Sequence, residues 1–538
     1  MNTMLKPSQF ALLCAALFFS SSLLCAEDNP SGGEWPQWGR DGSNNMMSPA
    51  TGLPIDFTSG EINDETGEAE GAKHLKWVTE MGSQAYGTAT VTGGRVFIGT
   101  NNEKPRLDSV TGDKGIVMCF DEKTGDLLWQ LSVPKLAAGK VSDWEFLGIC
   151  SSVIVEGKYG YVITNRGEVL CLDVYGMSDG NDGFQDEARY MNGGLEKLNE
   201  VEPAELSDMT ADIVWGYDMR SELGVFPHNV TSSSVVISDK YVFASTSNGV
   251  DWSHINIPAP FSPCIVALDK ETGELVAEEA AGIGEAIMHC NWSSPAYSED
   301  LTGSPTVVFG GGDGLTYGFH ASEFDEEQDG GETFNLFKEL WKVDCCPQEY
   351  RIDEAGEPIK YATYPGPSEI ISSPVIYNDR VYVAIGQDPE HGEGVGAITC
   401  IDPSKGTGED AIVWQFKEVG RTISTPSVAD GLVYIADYSG RLFCLDAETG
   451  EKYWEHDTLS HIWGSTLVVD GKVLLGNEDG ELVILKAGKE YEELNIVGYP
   501  APIYATPIVA NSTLYVMTQT HLYAYEMGGE ASVAAVAP

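Results

Sequence analysis

The chain has 538 residues, 42% of them apolar and 60 of them glycine, with 82 acidic residues against 31 basic ones and a net charge of −51. Such a charge repels nucleic acid and anionic lipid alike, so neither is an expected partner. Scarce helical patterning, abundant glycine and many short Val/Ile/Leu/Tyr runs point to an all-β fold with numerous tight turns.

The first element is an export signal. Lys6 precedes an apolar run from Phe10 to Leu24, broken only by three serines, and Ala26 stands just before Glu27 and Asp28. Residues 1–26 therefore read as a signal peptide too short for a stable membrane span. The mature protein is expected in the periplasm or outside the cell. Lipidation at Cys25 is the rival reading, weakened by bulky Leu24 where a small residue is wanted. No other stretch is long and apolar enough to cross a membrane. Residues 27–73, rich in Gly, Ser, Asn and acidic residues, read as an N-terminal surface arm. Residues 528–538 read as a disordered tail.

Between arm and tail lies an internal repeat. Its clearest copy runs from Ile423 through Gly431, Gly440 and Asp446 to Trp454, as four short strands joined by tight turns. The period is about 40 residues, the size of one propeller blade. Equivalent starts, each a Ser or Thr behind a small residue, recur at Thr88, Ser152, Ser234, Ser294, Ser373, Thr425, Ser465 and Thr506. Wider spacings carry loop insertions. Small residues are needed at these starts because the innermost strands of all blades crowd around one axis. Residues 74–527 are thus expected to form an eight-bladed β-propeller of four-stranded antiparallel blades. The last copy supplies three strands, 506–510, 514–518 and 521–526. Residues 74–80 are the candidate fourth, closing the ring and removing an exposed edge.

Cys119, Cys171, Cys400 and Cys444 each stand two residues before an Asp at one repeat position, hence in different blades. They read as small buried core residues rather than a disulfide framework. The adjacent Cys345 and Cys346 stand apart from that pattern. Asp179, Asn181, Asp182, Asp186 and Glu187, spaced around glycines, form a candidate Ca²⁺ loop, with a plain acidic turn as the alternative.

In a four-stranded antiparallel blade, the loop entering the inner strand and the loop joining the second and third strands share one face. His228, His254, His289, His391 and His461 all fall in such loops. With them come Asn291, Trp292, Asp388, Glu393, Arg421 and Trp463. Imidazoles, carboxylates, a guanidinium and indoles offer ligands, charge and stacking surfaces for a planar anionic cofactor or a metal-bound substrate. His289, Asn291, Trp292, His391, Glu393 and Trp463 are the candidate cofactor-binding residues, and Asp388 and Arg421 the candidate catalytic ones. In the competing reading each histidine merely satisfies its own loop backbone.

Three repeats carry Asp-x-x-Thr-Gly, at Asp121/Thr124/Gly125, Asp269/Thr272/Gly273 and Asp446/Thr449/Gly450, and two continue to Trp129 and Trp454. This resembles the tryptophan-docking repeat of pyrroloquinoline quinone (PQQ) propellers. The segment Trp35-Pro-Gln-Trp38 is similar to the arm of a group of exported PQQ-like propeller proteins. The resemblance implies a quinoprotein-type fold that holds its ligand on the histidine-bearing face. In the enzymes of that type it implies PQQ, Ca²⁺, a carboxylate base and an Arg near the quinone. Asp388 or Asp313 and Arg421 are placed for the last two roles, and Cys345-Cys346 for the cysteine pair that packs on the quinone. Three functions follow. The expected one is an exported, monomeric propeller that binds a small ligand, metal or envelope protein partner at its His-rich face. The second is a PQQ/Ca²⁺-dependent dehydrogenase of alcohols or sugars. The third is an envelope scaffold resembling the propeller lipoprotein of the outer-membrane assembly machinery.

Overall fold

The computed structural model describes residues 31–63, 66–67, 69–392 and 394–528. The leader, the tail past Gly528 and Glu393 lie outside the described residues.

Eight four-stranded antiparallel units follow one another around an axis. Blade one comprises Thr90–Thr92, Arg95–Asn101, Lys114–Asp121 and Leu127–Pro134, hydrogen-bonded in that order. Blade eight comprises Ile508–Ala510, Thr513–Met517 and His521–Glu526, with Leu75–Glu80 as its outer strand. Tyr523 stands opposite Val78 and Ala524 opposite Trp77. The N-terminal strand therefore closes the ring as the last repeat required. Blade four departs from the plain repeat: its outer hairpin, Leu315–Asp329 with Glu332–Asp344, is long enough to bridge Glu278 of blade three through Leu336.

The cross-strand register explains the repeat letters. Cys119 faces Trp129, Cys171 faces Trp215, Cys400 faces Trp414 and Cys444 faces Trp454. A small side chain lets each indole lie flat against its sheet. The indole then docks on the next blade: Trp414 Nε1 donates to the Ala447 carbonyl at 2.9 Å. A Cβ on Gly450 would stand 2.6 Å from that ring, and Gly450 holds a φ of +71°. Asp446 fixes the receiving turn by accepting from the backbone N–H groups of Glu448 and Thr449. The motif is a device for joining blades.

The eight starts form a belt around the axis. Ser152 N–H donates to Ser234 Oγ, Ser234 to Ser294, Ser373 to Thr425, Thr425 to Ser465 and Ser465 to Thr506, all at 2.9–3.0 Å. Thr506 N–H returns to Thr88 Oγ1 at 3.3 Å. Hydroxyls serve here as well as small size, because six of the eight accept from a buried backbone donor of the neighbouring blade and Ser152 Oγ donates to the Thr88 carbonyl.

Over residues 31–50 the N-terminal segment is packed against the blades rather than a surface arm, whereas much of 51–73 is exposed. Trp35 and Met46 are fully buried, and Ala50, Leu53 and Phe57 nearly so. Trp35 exchanges two backbone hydrogen bonds with Val91 of blade one. The backbone oxygens of Pro36, Gly42, Ser43 and Met46 accept from Val155, Tyr297, Ile376 and Val468 of blades two, four, five and seven. Asn45 exchanges two bonds with Val428 of blade six, and Gly33 accepts from Asn511 of blade eight. The strap lies beneath the inner strands, away from their entering loops. Its polar composition misleads because these side chains and carbonyls satisfy inner-strand backbone groups rather than face water.

Candidate functional site

The eight belt residues line an axial cavity of about 380 Å³. Trp38 of the strap reaches it from one side, and Trp292, Asp388, Glu390, Trp463 and Tyr504 line it from the entering-loop side.

Four imidazoles gather beside that mouth, carried by loops of three consecutive blades. His228 enters blade three, His254 joins its second and third strands, His289 enters blade four, and His391 lies in the equivalent joining loop of blade five. Ring centroids of His228 and His289 are 4.4 Å apart, of His228 and His254 5.1 Å, and of His254 and His289 5.0 Å. The His391 ring lies 5.5 Å from His254 and 5.6 Å from His289. Burial holds the His228 and His289 imidazoles down at about 3 and that of His391 below its ordinary value.

Carboxylates frame the cluster. Asp388 Oδ2 is 3.7 Å from His289 Nε2 and accepts from Asn229 Nδ2 at 3.3 Å. Asp388 Oδ1 caps the short helix Pro389–His391 through Glu390 N–H. On the other side of the same ring, Glu369 Oε1 is 3.6 Å from His289 Nδ1. Burial pushes the Glu369 carboxyl well up, although Cys290 N–H and the Tyr361 hydroxyl donate to it at 3.1 and 3.0 Å. Tyr361 also stacks on His289 at 5.4 Å. Glu369 and Tyr361 were not among the residues expected from sequence. Glu369 carried a faint signal, a carboxylate a few residues before a blade start.

The other expected residues divide in role. Arg421 is buried and its Nη1 donates to the Asp388 carbonyl, so it supports the loop bearing Asp388 and His391. Asn291 is structural: its amide donates to Asn248 O and accepts from Gly312 N–H, both at 2.8 Å. Trp292 packs 5.1 Å from His289 and donates to Val230 O. His461 leaves the histidine group, with Nδ1 3.0 Å from Glu478 and its ring stacked on Tyr438 at 4.4 Å. Trp463 joins it in a second aromatic group, stacking on Tyr504 at 5.0 Å with Tyr86 6.0 Å away.

Comparison with known proteins agrees with this architecture. A family described as outer membrane protein assembly factor BamB matches residues 338–534. The factor of that name from Nitrosomonas eutropha is 36% identical over 73 residues, 13% of this chain and 18% of the relative. Among solved structures, BamB from Moraxella catarrhalis superposes with a TM-score of 0.50 at 14% identity, over 84% of this chain and 98% of that one. A europium-containing methanol dehydrogenase superposes at 0.52 and 12% identity, over 92% and 98%. The chain has the fold of the PQQ-like β-propellers.

Some PQQ-like propellers imply a quinone and a hard cation, and the residues here do not fit that pair. The groups converging at the mouth are imidazole nitrogens, whereas Ca²⁺ takes oxygen ligands. Among the described residues lining the cavity none is Lys or Arg, while Asp388 and Glu390 are acidic, which disfavours a planar anionic quinone. Cys345 and Cys346 are buried between blades four and five, with Cys345 Sγ against Thr316 Oγ1 at 3.2 Å, and neither lines the cavity. Asp313 also lies outside the cavity lining, hydrogen-bonded to the Tyr317 hydroxyl at 2.6 Å.

The acidic loop of this PQQ-like propeller does not bring its oxygens together. Asp179, Asp182 and Asp186 are exposed. Asp182 pairs with Lys158 at 3.3 Å, and Glu187 turns inward to accept from Asn181 at 3.1 Å.

Proposed function

We propose that this PQQ-like propeller acts outside the cytoplasm and binds a small neutral or cationic molecule in its axial cavity, entered past the histidine cluster. One observation carries the reading. Aromatic faces from several blades and the Asp388 and Glu390 carboxylates of one loop line a single cavity of ordinary ligand size, with the imidazoles beside it. The leader-like N-terminus supports the location.

The test uses three planar probes followed by tryptophan fluorescence: 2-naphthol, benzamidinium and PQQ, the last with and without Ca²⁺. The first two should quench saturably, and Trp463→Ala should weaken both about tenfold through loss of one stacking face, worth 0.5–1.5 kcal/mol or more. PQQ should not compete. Absence of saturable quenching by any probe rejects the reading, and tight PQQ binding returns the dehydrogenase reading.

A scaffold role has its own support. Phe146, Trp252, Ile255, Phe261, Tyr364 and Leu459 are exposed, and all lie in loops of the face that bears the histidines. Cross-linking from Phe261 in cells should capture a discrete protein if that face docks a partner, and none if it serves a small ligand alone.

A further inference from the structure

His228 Nε2 and both ring nitrogens of His289 are buried without a hydrogen-bond partner among the described residues. A buried polar atom left without a partner is destabilising, so three in one cluster call for a missing partner. Bulk water does not supply it, since both residues are 0% exposed.

The orientation of the rings says what that partner is. His228 Nδ1 is 2.6 Å from the Val250 carbonyl, so it carries the proton and Nε2 presents its lone pair. His289 Nδ1 faces Glu369, which leaves Nε2 on the Asp388 side. His228, anchored at Nδ1 by a carbonyl with Nε2 open, has the arrangement of a metal-ligating histidine, and His289 sets its Nδ1 toward a carboxylate at 3.6 Å. One nitrogen each of His228, His254 and His289 lies within 4.8 Å of the others. Bonds of about 2.0–2.1 Å to one tetrahedral ion bring such nitrogens to about 3.3 Å. His254 is the exposed member of the three, on the loop joining the second and third strands of blade three.

We infer that His228, His254 and His289, with Asp388 as the fourth ligand, bind one divalent transition-metal ion of the zinc, copper or nickel class at the mouth of the axial cavity. Imidazole nitrogen is a borderline donor that suits those ions and leaves Ca²⁺ and Mg²⁺ poorly served. The inference deepens the ligand-binding reading above and rests on the same face. A metal here would stand beside a cavity into which a small molecule fits, and His391 lies within reach as a further ligand or a proton carrier.

The full chain, stripped with EDTA and held in millimolar Mg²⁺ to occupy weak acidic surface sites, is titrated with Zn²⁺ by calorimetry. Co²⁺ serves as the spectroscopic probe. One equivalent of Zn²⁺ should bind with micromolar or tighter affinity, and Co²⁺ should give the visible d–d bands of a four-coordinate nitrogen–oxygen site. His254→Ala should weaken Zn²⁺ binding about 100-fold while leaving the melting temperature of the metal-free protein unchanged, because that ring is exposed. His289→Gln should weaken it further. No stoichiometric Zn²⁺ site under Mg²⁺, or one that persists in His254→Ala/His289→Gln, overturns the inference. Naphthol quenching measured in EDTA separates the two readings: if it survives while Zn²⁺ fails to bind, only the metal site falls.

Discussion

The Nδ1 atom of His228 hydrogen-bonds the Val250 carbonyl at 2.6 Å, which fixes the tautomer of an imidazole held neutral by burial. That neutrality has a pH consequence. His228 and His289 titrate at about 3 when folded, against an ordinary 6.5, so between those values the unfolded chain binds more protons. Their contribution to stability is complete above pH 6.5 and is lost as pH falls toward 3. Asp212 and Asp313 oppose it: burial raises both carboxyls from 3.8 to about 6, so their contribution is present below 3.8 and lost as pH rises through 6. Glu369, also raised by burial, acts with those carboxyls, so the imidazole effect is read as a difference: from pH 7 to pH 5 the parent should lose melting temperature relative to a His228→Gln/His289→Gln variant. Parallel profiles would show that these imidazoles are not the acid-sensitive groups.

The strap predicts a large effect from a small change. Trp35→Ala empties a fully buried site between strap and blade one, and should cost about 3–5 kcal/mol in guanidinium unfolding. Deleting residues 31–73 should leave the inner-strand ends unpaired and cause aggregation on light scattering. A soluble deletion that melts like the parent would make the strap a mere covering.

The hydroxyl belt is tested by shape-neutral substitution. Thr425→Val keeps the volume but removes the acceptor of Ser373 N–H. A buried donor left unsatisfied costs about 1–3 kcal/mol, readable as a shift of the urea midpoint. An unshifted midpoint would mean that the belt depends on size alone.

Cys345 and Cys346 give a contrasting expectation. Burial raises both thiols above their ordinary value, Cys345 to about 12, so neither should react with a thiol reagent in the native state. Cys346→Ala should leave naphthol quenching unchanged. Loss of quenching would place the pair against the ligand after all.

Much of the fold was legible because a propeller repeats its constraints. Every blade has a small hydroxyl residue at the axis, and the six with an outer-strand indole place a Cys, Ala or Gly opposite it, so the same letters recur. The closing strand Leu75–Glu80 could be inferred by counting strands in the last copy. The face bearing His228, His254, His289 and His391 followed from strand order, since loops at one end of antiparallel strands share a side.

Three features were decided only by the tertiary structure. The strap reads as polar surface because backbone groups of other blades, distant in the chain, are what Asn44, Asn45 and the strap carbonyls satisfy. Loop alternation placed His461 with the other histidines, yet the curvature of the ring carries it to Glu478 and Tyr438, two blades away from His391. Tyr361 carries no repeat signature, and Glu369 only its place a few residues before a blade start. Their partnership with His289 exists only because blade five turns its entering loop back over blade four. Repetition writes packing into local sequence, whereas a site between blades is set by side chains that meet across long separations, and no local pattern records that meeting.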